Sequence, residues 1–434
     1  MLVRPTIVVV IPSDVVAATL IDSGALDRLA QHYALVYLAS PEVTRALPAP
    51  SHVLAPRTLG SRLGRSLDFH FWQLSLFAYY RRHGLADSAS VKAATLPARH
   101  RRVYRALAHP LPNRLLGMLD RRVFFRTDSA IAAFLREQRP RLVIAPASAM
   151  DTYSHLAVRT ASALGLPSAM LVSHWDYFSK KGLLRVHPTR IYVWGEDMRR
   201  LAIERNGIEA KLLAILGAPH FDKYLQPLAQ RAQAARRRLG LEPDARVVLF
   251  PGASVPFDEA TVLRVLDEVA GRFGDVRILY RPHPRAWARR SASNIDIRSL
   301  ERVRIDDPSQ TSDEHYLDLM AVSDALVSPF STMTLEAALC GKPSLCTGFS
   351  DEVNSWDFAE ARNSDHIRIL QGRHWLRICD QASRLGAEFA DLLARLRDPA
   401  LAERIREEAR STVFYNERSY AERLLERVQQ DFGG

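Results

Sequence analysis

Two short stretches bring phosphate-binding chemistry to the ends of predicted strands. The first is Arg281-Pro282-His283-Pro284-Arg285, which follows the apolar run Val276–Tyr280. Prolines on either side restrict the backbone around the histidine. An imidazole held there donates one hydrogen bond when neutral and two when protonated. The guanidiniums of Arg281 and Arg285 suit phosphate oxygens. A rigid histidine beside a departing phosphate stabilises the charge that develops on it. The second stretch is SDALVSPFSTMTLEAALCGKPSL, Ser323 to Leu345. Asp324 opens a strand and Pro329 ends it. Ser331 or Thr332 then stands where a helix cap belongs. The unpaired N–H groups and positive dipole end of a helix form an anion site. The Ser331 and Thr332 hydroxyls add two donors for the same phosphate, and Glu336 can accept from ribose hydroxyls. Gly341 and Pro343 end the helix.

Each stretch has a plainer counterpart: a capped helix, and a surface histidine in a proline-rich turn. Their joint presence at strand ends of one domain favours the phosphate reading. A third loop, LFPGASVPF, supports it weakly, because Gly252, Ala253 and Ser254 let backbone approach a ligand closely. Gly252 and Ser254 therefore join Arg281, Arg285, Ser331 and Thr332 as candidate phosphate-binding residues.

The first half of the chain carries a different signature, SHWDYFSKKG from Ser173 to Gly182. His174 or Asp176 can serve as general base for an acceptor hydroxyl, and the sequence leaves both open. Trp175 and Tyr177 offer flat surfaces on which a sugar stacks, and Lys180 and Lys181 can meet an acceptor phosphate. His220 and Asp222, in ILGAPHFDKY, read as structural. The chain contains no Asp-x-Asp pair, no HExxH and no GxSxG, so metal-bound diphosphate chemistry and serine hydrolysis lose support. No metal or other cofactor is expected.

The elements that must position these loops alternate. Strands are predicted at Thr6–Ile11, Ala34–Leu38, Leu142–Ala145, Ser168–Val172, Ile191–Trp194 and Leu212–Leu216. A second set follows at Arg246–Phe250, Val276–Tyr280, Ala325–Ser328 and Ser344–Cys346. Helical periodicity fills Ser154–Leu164, Asp197–Asn206, Asp258–Phe273 and Thr332–Cys340. Continuous apolar strands separated by helices indicate parallel sheets covered on both faces. The pattern restarts at RVVLFPGAS, after a polar, Arg-rich stretch. The predicted fold is therefore α/β, with two doubly wound Rossmann-like domains facing each other across a cleft and C-terminal helices. The domains would span residues 1–235, on the acceptor side, and 236–400, on the nucleotide-donor side. A helical tail would occupy 401–434.

At 434 residues and 47% apolar composition, the chain is long enough for two cores. Its three cysteines form no CxxC and read as buried apolar residues in a reducing compartment. The first apolar run is too short for a signal peptide, and none reaches the length of a membrane span. A cytoplasmic protein is expected, one able to sit peripherally on the inner face of the cell membrane. The net charge of +11 is uneven: residues 1–240 hold 34 Lys and Arg against 16 Asp and Glu, and the remainder 25 against 32. The basic segment Arg57–Arg141, interleaved with aromatics, suits an anionic membrane surface or a polyanionic acceptor. It also reads as an ordinary solvated Arg-rich face. Nucleic acid is not expected, since no nucleic-acid motif accompanies it.

Three motifs carry a resemblance: YRPHP at Tyr280–Pro284, DALVSPFSTMTLEAALCGKP at Asp324–Pro343 and SHWDYFSKKG at Ser173–Gly182. Together they resemble GT-B glycosyltransferases and the CDP-glycerol glycerophosphotransferases of bacterial surface-carbohydrate synthesis. The likeness spans roughly residues 140–350. It implies that His283 contacts the donor phosphate, that Ser331 and Thr332 bind the same phosphates and that Glu336 binds the ribose. It further implies metal-independent transfer of a sugar or glycerol phosphate from a nucleotide-sugar or CDP-glycerol donor. The receiving hydroxyl would belong to a glycan or lipid-linked acceptor. Two departures stand out. The acidic base motif of sialyltransferases is missing, and Ser328 stands where the retaining branch has a second glutamate. The alternative is a sugar-nucleotide isomerase resembling UDP-N-acetylglucosamine 2-epimerase, which shares the fold and a His-Pro loop. A non-catalytic binding module is the third hypothesis.

Overall fold

The computed structural model describes residues 4–48, 50–56, 61–82, 127–149, 151–181, 184–225, 228–253, 257–283, 296–350 and 364–433, with isolated positions 96, 97, 100, 102, 103, 106, 115, 118 and 362. The chain divides into two compact units. The first comprises Met1–Asp222 with Val413–Gly434, and the second Lys223–Thr412. The division thus falls at 222/223 instead of near 235. The expected C-terminal tail does not stand apart, because its two helices belong to different units.

In the first unit, β-branched and aliphatic runs form a parallel sheet. Its strands are β1 (Thr6–Ile11), β2 (Ala34–Ala39), β3 (Ser51–Val53), β4 (Leu142–Ala147), β5 (Ser168–Val172), β6 (Arg190–Val193) and β7 (Leu213–Ile215). The order is β3-β2-β1-β4-β5-β6-β7. The central strands are buried on both faces, which is why they read as unbroken apolar runs. Helices α1 (Asp14–Asp22), α2 (Ala25–Ala30), α3 (Arg62–Arg82), α4 (Ser129–Gln138), α5 (Thr152–Ala163) and α6 (Glu196–Asn206) accompany the sheet.

The second unit opens with α7 (Ala229–Leu239) and contains β8 (Arg246–Pro251), α8 (Glu259–Phe273), β9 (Val276–Arg281), β10 (Val303–Ile305), α9 (Asp313–Val322) and β11 (Ala325–Ser328). It continues with α10 (Thr332–Leu339), β12 (Ser344–Thr347), β13 (Leu376–Cys379), α11 (Leu385–Arg395) and α12 (Leu401–Thr412). The parallel sheet runs β10-β9-β8-β11-β12-β13. Its core joins Val248, Phe250, Ile278, Tyr280 and Val327 to the apolar stripes of α8 and α11. The last helix, α13 (Tyr420–Phe432), joins the core of the first unit.

Candidate functional site

The sheet order of the second unit puts the three predicted phosphate loops at one edge. β8 lies between β9 and β11, and all run parallel. The loops after these strands therefore leave from the same end of the sheet. With strands about 4.8 Å apart, those after β9 and β11 start about 10 Å from each other. Ligands of such sheets bind beyond the carboxyl ends of the strands.

The first two loops are pinned together. Gly252 N–H donates to the Arg281 carbonyl at 2.7 Å. Ala253 N–H donates to Glu259 Oε1 at 2.6 Å, and Tyr280 donates its phenol to Glu259 Oε2. A Cβ on Gly252 would lie 2.8 Å from Glu259 Oε1 and 2.9 Å from His283 N. The sequence suggested that this glycine admits a ligand. Its missing side chain instead admits the histidine backbone and the glutamate. His283 itself is half-buried.

At the third loop, Ser331 takes the extended backbone of a helix cap, with φ −146° and ψ 165°, yet its side chain caps nothing. Its Oγ is buried and has no hydrogen-bond partner. Ser328, at the end of β11, is fully buried and its Oγ is also unpartnered. Thr332 is exposed. The start of α10 thus offers idle donors where the helix dipole is positive.

One expectation needs correction. Arg281 is 3% exposed and turns inward. Its guanidinium donates to Asp306 Oδ2 at 2.8 Å and to the carbonyls of Asp307 and Gln310, and it lies 5.3 Å from the Tyr316 ring centre. Buried charge is tolerated only when paired in this way, so Arg281 ties β9 to the segment after β10 and is not placed to meet a phosphate. Glu336 is engaged through one oxygen: Tyr224 donates its phenol to Oε2 at 2.6 Å. Burial raises the Glu336 pKa above the usual range, and the Tyr224 bond works against that rise. Arg285 and Ser254 lie outside the described residues.

In the first unit, β5 leads into the predicted acceptor-side loop. His174 and Trp175 are half-buried, whereas Asp176 is 6% exposed. Burial and the Asp176 charge together push the Tyr80 phenol well up. A base must be reached by its substrate, so His174 is the more accessible of the two candidates. Tyr177–Lys181 form one π-helical turn, which Tyr79 and Asn206 brace by donating to the Phe178 carbonyl at 2.5 and 2.9 Å; Tyr177 is fully buried there and offers no stacking face, contrary to the reading of the sequence. Lys180 and Lys181 close that turn. His220 packs against Trp194 and Phe221, and Asp222 accepts from Arg423.

This unit also holds a cavity of about 820 Å³ beyond the carboxyl ends of β1, β2 and β4. Asp151, the cap of α5, lines it.

No family model matches the chain, and no curated protein matches it. Solved structures do. UDP-GlcNAc 2-epimerase from Neisseria meningitidis bound to UDP-GlcNAc aligns with TM-score 0.55 and 11% identity, over 98% of this chain and 100% of that one. The S. aureus MnaA–UDP structure gives 0.55 and 11%, over 98% and 96%. The wall teichoic acid polymerase TagF gives 0.49 and 12%, over 99% and 90%. The fold is of the GT-B type. At these identities the likeness speaks for the fold alone. Nothing in the sequence signals that Asp151 lines the cavity of the first unit, because AMDTYSHL reads as an ordinary helix start. Sequence reasoning missed Glu259 because a glutamate in the first turn of a helix is common.

Proposed function

We propose that this chain transfers a sugar or glycerol phosphate group from a nucleotide-activated donor to a hydroxyl of a glycan or lipid-linked acceptor, without a metal ion. The observation that carries the reading is the idle, buried Ser331 Oγ at the start of α10, on the same sheet edge as His283. An unpaired buried hydroxyl costs free energy that a bound phosphate would recover. The donor phosphates then sit on the α10 N–H groups, Ser331 and Thr332. His283 donates to the phosphate oxygen that keeps the electron pair when its bond to the transferred group breaks. The acceptor oxygen forms the new bond and gives its proton to a base of the first unit, His174 or Asp176. Exposed Arg62, Arg65, Arg81 and Arg82 on α3 suit a peripheral position on an anionic membrane from the cytoplasmic side.

The test is a thermal-shift panel of UDP, CDP, CMP and GDP, with and without EDTA. A pyrimidine nucleotide is expected to raise the melting temperature, EDTA to leave the rise intact and His283→Ala to reduce it. Silence towards every nucleotide, or loss of the response in EDTA, defeats the reading. NMR of UDP-N-acetylglucosamine incubated alone separates the isomerase: an epimer forming without acceptor replaces transfer with isomerisation.

A further inference from the structure

The cavity of the first unit is built for a particular chemistry. Three features define it. Phe69, on α3, is 38% exposed and lines the wall, so a flat apolar face is open to an occupant. Trp72, one turn on, also lines it; its ring is buried and its Nε1 has no partner. Asp151 is only 9% exposed. Its Oδ1 accepts from Ser154 N–H at 2.9 Å, and its Oδ2 is buried without any partner. An orphaned buried carboxylate oxygen is costly, and burial raises the Asp151 carboxyl to about 6. Such an oxygen calls for a donor: the Ser154 hydroxyl and Tyr153 N–H are near enough to hold the carboxyl down somewhat, but no described group makes a hydrogen bond to Oδ2.

Charge narrows the occupant further. Among the described lining residues, the carboxylates Glu42, Asp68 and Asp151 stand against the guanidinium of Arg65. Asp68 is already engaged by Thr152 at 2.6 Å and by Arg185 at 2.8 Å. A phosphate would meet like charge here. A neutral polyol with one apolar face meets an aromatic ring and a waiting acceptor.

We propose that this cavity seats a neutral sugar residue, its apolar ring face on Phe69 and one hydroxyl donating to Oδ2 of Asp151. Calling that sugar the acceptor's end rests on the transferase reading; its binding does not. A glycan, and not the phosphate-bearing end of a polyanion, is then what the first unit recognises.

The test is saturation-transfer NMR and titration of the full chain with methyl glycosides of glucose, galactose, mannose and N-acetylglucosamine. Glycerol 3-phosphate and glucose 6-phosphate run alongside. At least one glycoside is expected to bind. Phe69→Ala and Asp151→Asn are each expected to weaken it about tenfold, near 1.4 kcal/mol, while the pyrimidine-nucleotide thermal shift stays unchanged. Phe69→Ala removes a half-exposed side chain, so it keeps the test sound if Asp151→Asn disturbs α5. The proposal falls if no glycoside binds, if neither substitution weakens binding or if the phosphates compete for the cavity. Nucleotide silence with glycoside binding intact would sink the transferase reading and leave this one standing.

Discussion

At the residue scale, Asp151 carries a cost that pH should expose. Its folded pKa of about 6 lies above the ordinary 3.8, so the native state holds this proton more tightly than the unfolded chain does. Stability from this group is therefore full below about pH 4 and is lost as pH rises through 6. The difference amounts to at most about 3 kcal/mol. Asp151→Asn removes the charge and keeps an effective cap on α5. The variant should be more stable than the wild type in urea melts at pH 8, and its advantage should vanish near pH 4. His155 works in the opposite sense: burial holds its ring near 4, so its contribution fades as pH falls from 6.5 towards 4. Comparing variant with wild type at each pH cancels that term. Equal stability at pH 8 would mean the carboxylate is not burdened. Gly252 supports a second residue-scale prediction. Gly252→Ala forces a methyl against Glu259 and the His283 backbone. It should cost about 1–3 kcal/mol and weaken the nucleotide thermal shift. A variant of wild-type stability and affinity would show that the approach of the two loops is loose.

At the element scale, two serine caps make a matched pair. Ser419 heads α13 in a full capping box with Glu422: its Oγ accepts from Glu422 N–H at 3.3 Å, and Ser419 N–H donates to Glu422 Oε2 at 2.9 Å. Ser331 heads α10 and caps nothing. Ser419→Ala should therefore cost about 1 kcal/mol of stability and leave nucleotide binding alone. Ser331→Ala should cost under about 0.5 kcal/mol and reduce nucleotide affinity. Chemical denaturation with nucleotide titration checks both. Equal stability losses with unchanged affinity would make Ser331 an ordinary cap. The same scale explains what the sequence revealed. β1, β5 and β11 match their apolar runs residue for residue, because strands covered on both faces leave no polar alternation to blur them. The three unforeseen strands, β3, β10 and β13, are all sheet edges. SHV, VRI and LRIC are short and half-polar because an edge is partly solvated. The site was legible in the same uneven way. The loops after β8, β9 and β11 fall on one sheet edge as read. Arg281's fate was hidden because its partner, Asp306, lies on a segment that only the sheet brings near.

At the scale of the whole molecule, the chain does not keep its two units in sequence order. After completing the second unit with α12, it returns to the first. Phe414 N–H donates to the Trp194 carbonyl at 2.7 Å, and α13 buries Tyr420, Leu424, Leu425 and Val428 in the first unit's core. Arg423 adds buried bonds to the Leu216 carbonyl at 3.0 Å and to Asp222 at 3.1 Å. Amphipathic periodicity announces such a helix but cannot say which core takes it, since that depends on where the chain ends up after the whole second unit has formed. The assignment has a measurable consequence. Four large side chains at about 1.5–3 kcal/mol each amount to about 6–12 kcal/mol, which rivals the stability of an entire domain. Ending the chain at Thr412 should therefore unfold the first unit. The second unit keeps its own core, including the Ile405 and Ala409 face of α12, and should retain the pyrimidine-nucleotide response. Hydrogen exchange on the truncated chain separates the units: amides of β1, β4 and β5 should lose protection while those of β8, β9 and β11 keep it. Protection persisting in β1, β4 and β5 would show that α13 is an accessory to the first core and not a part of it.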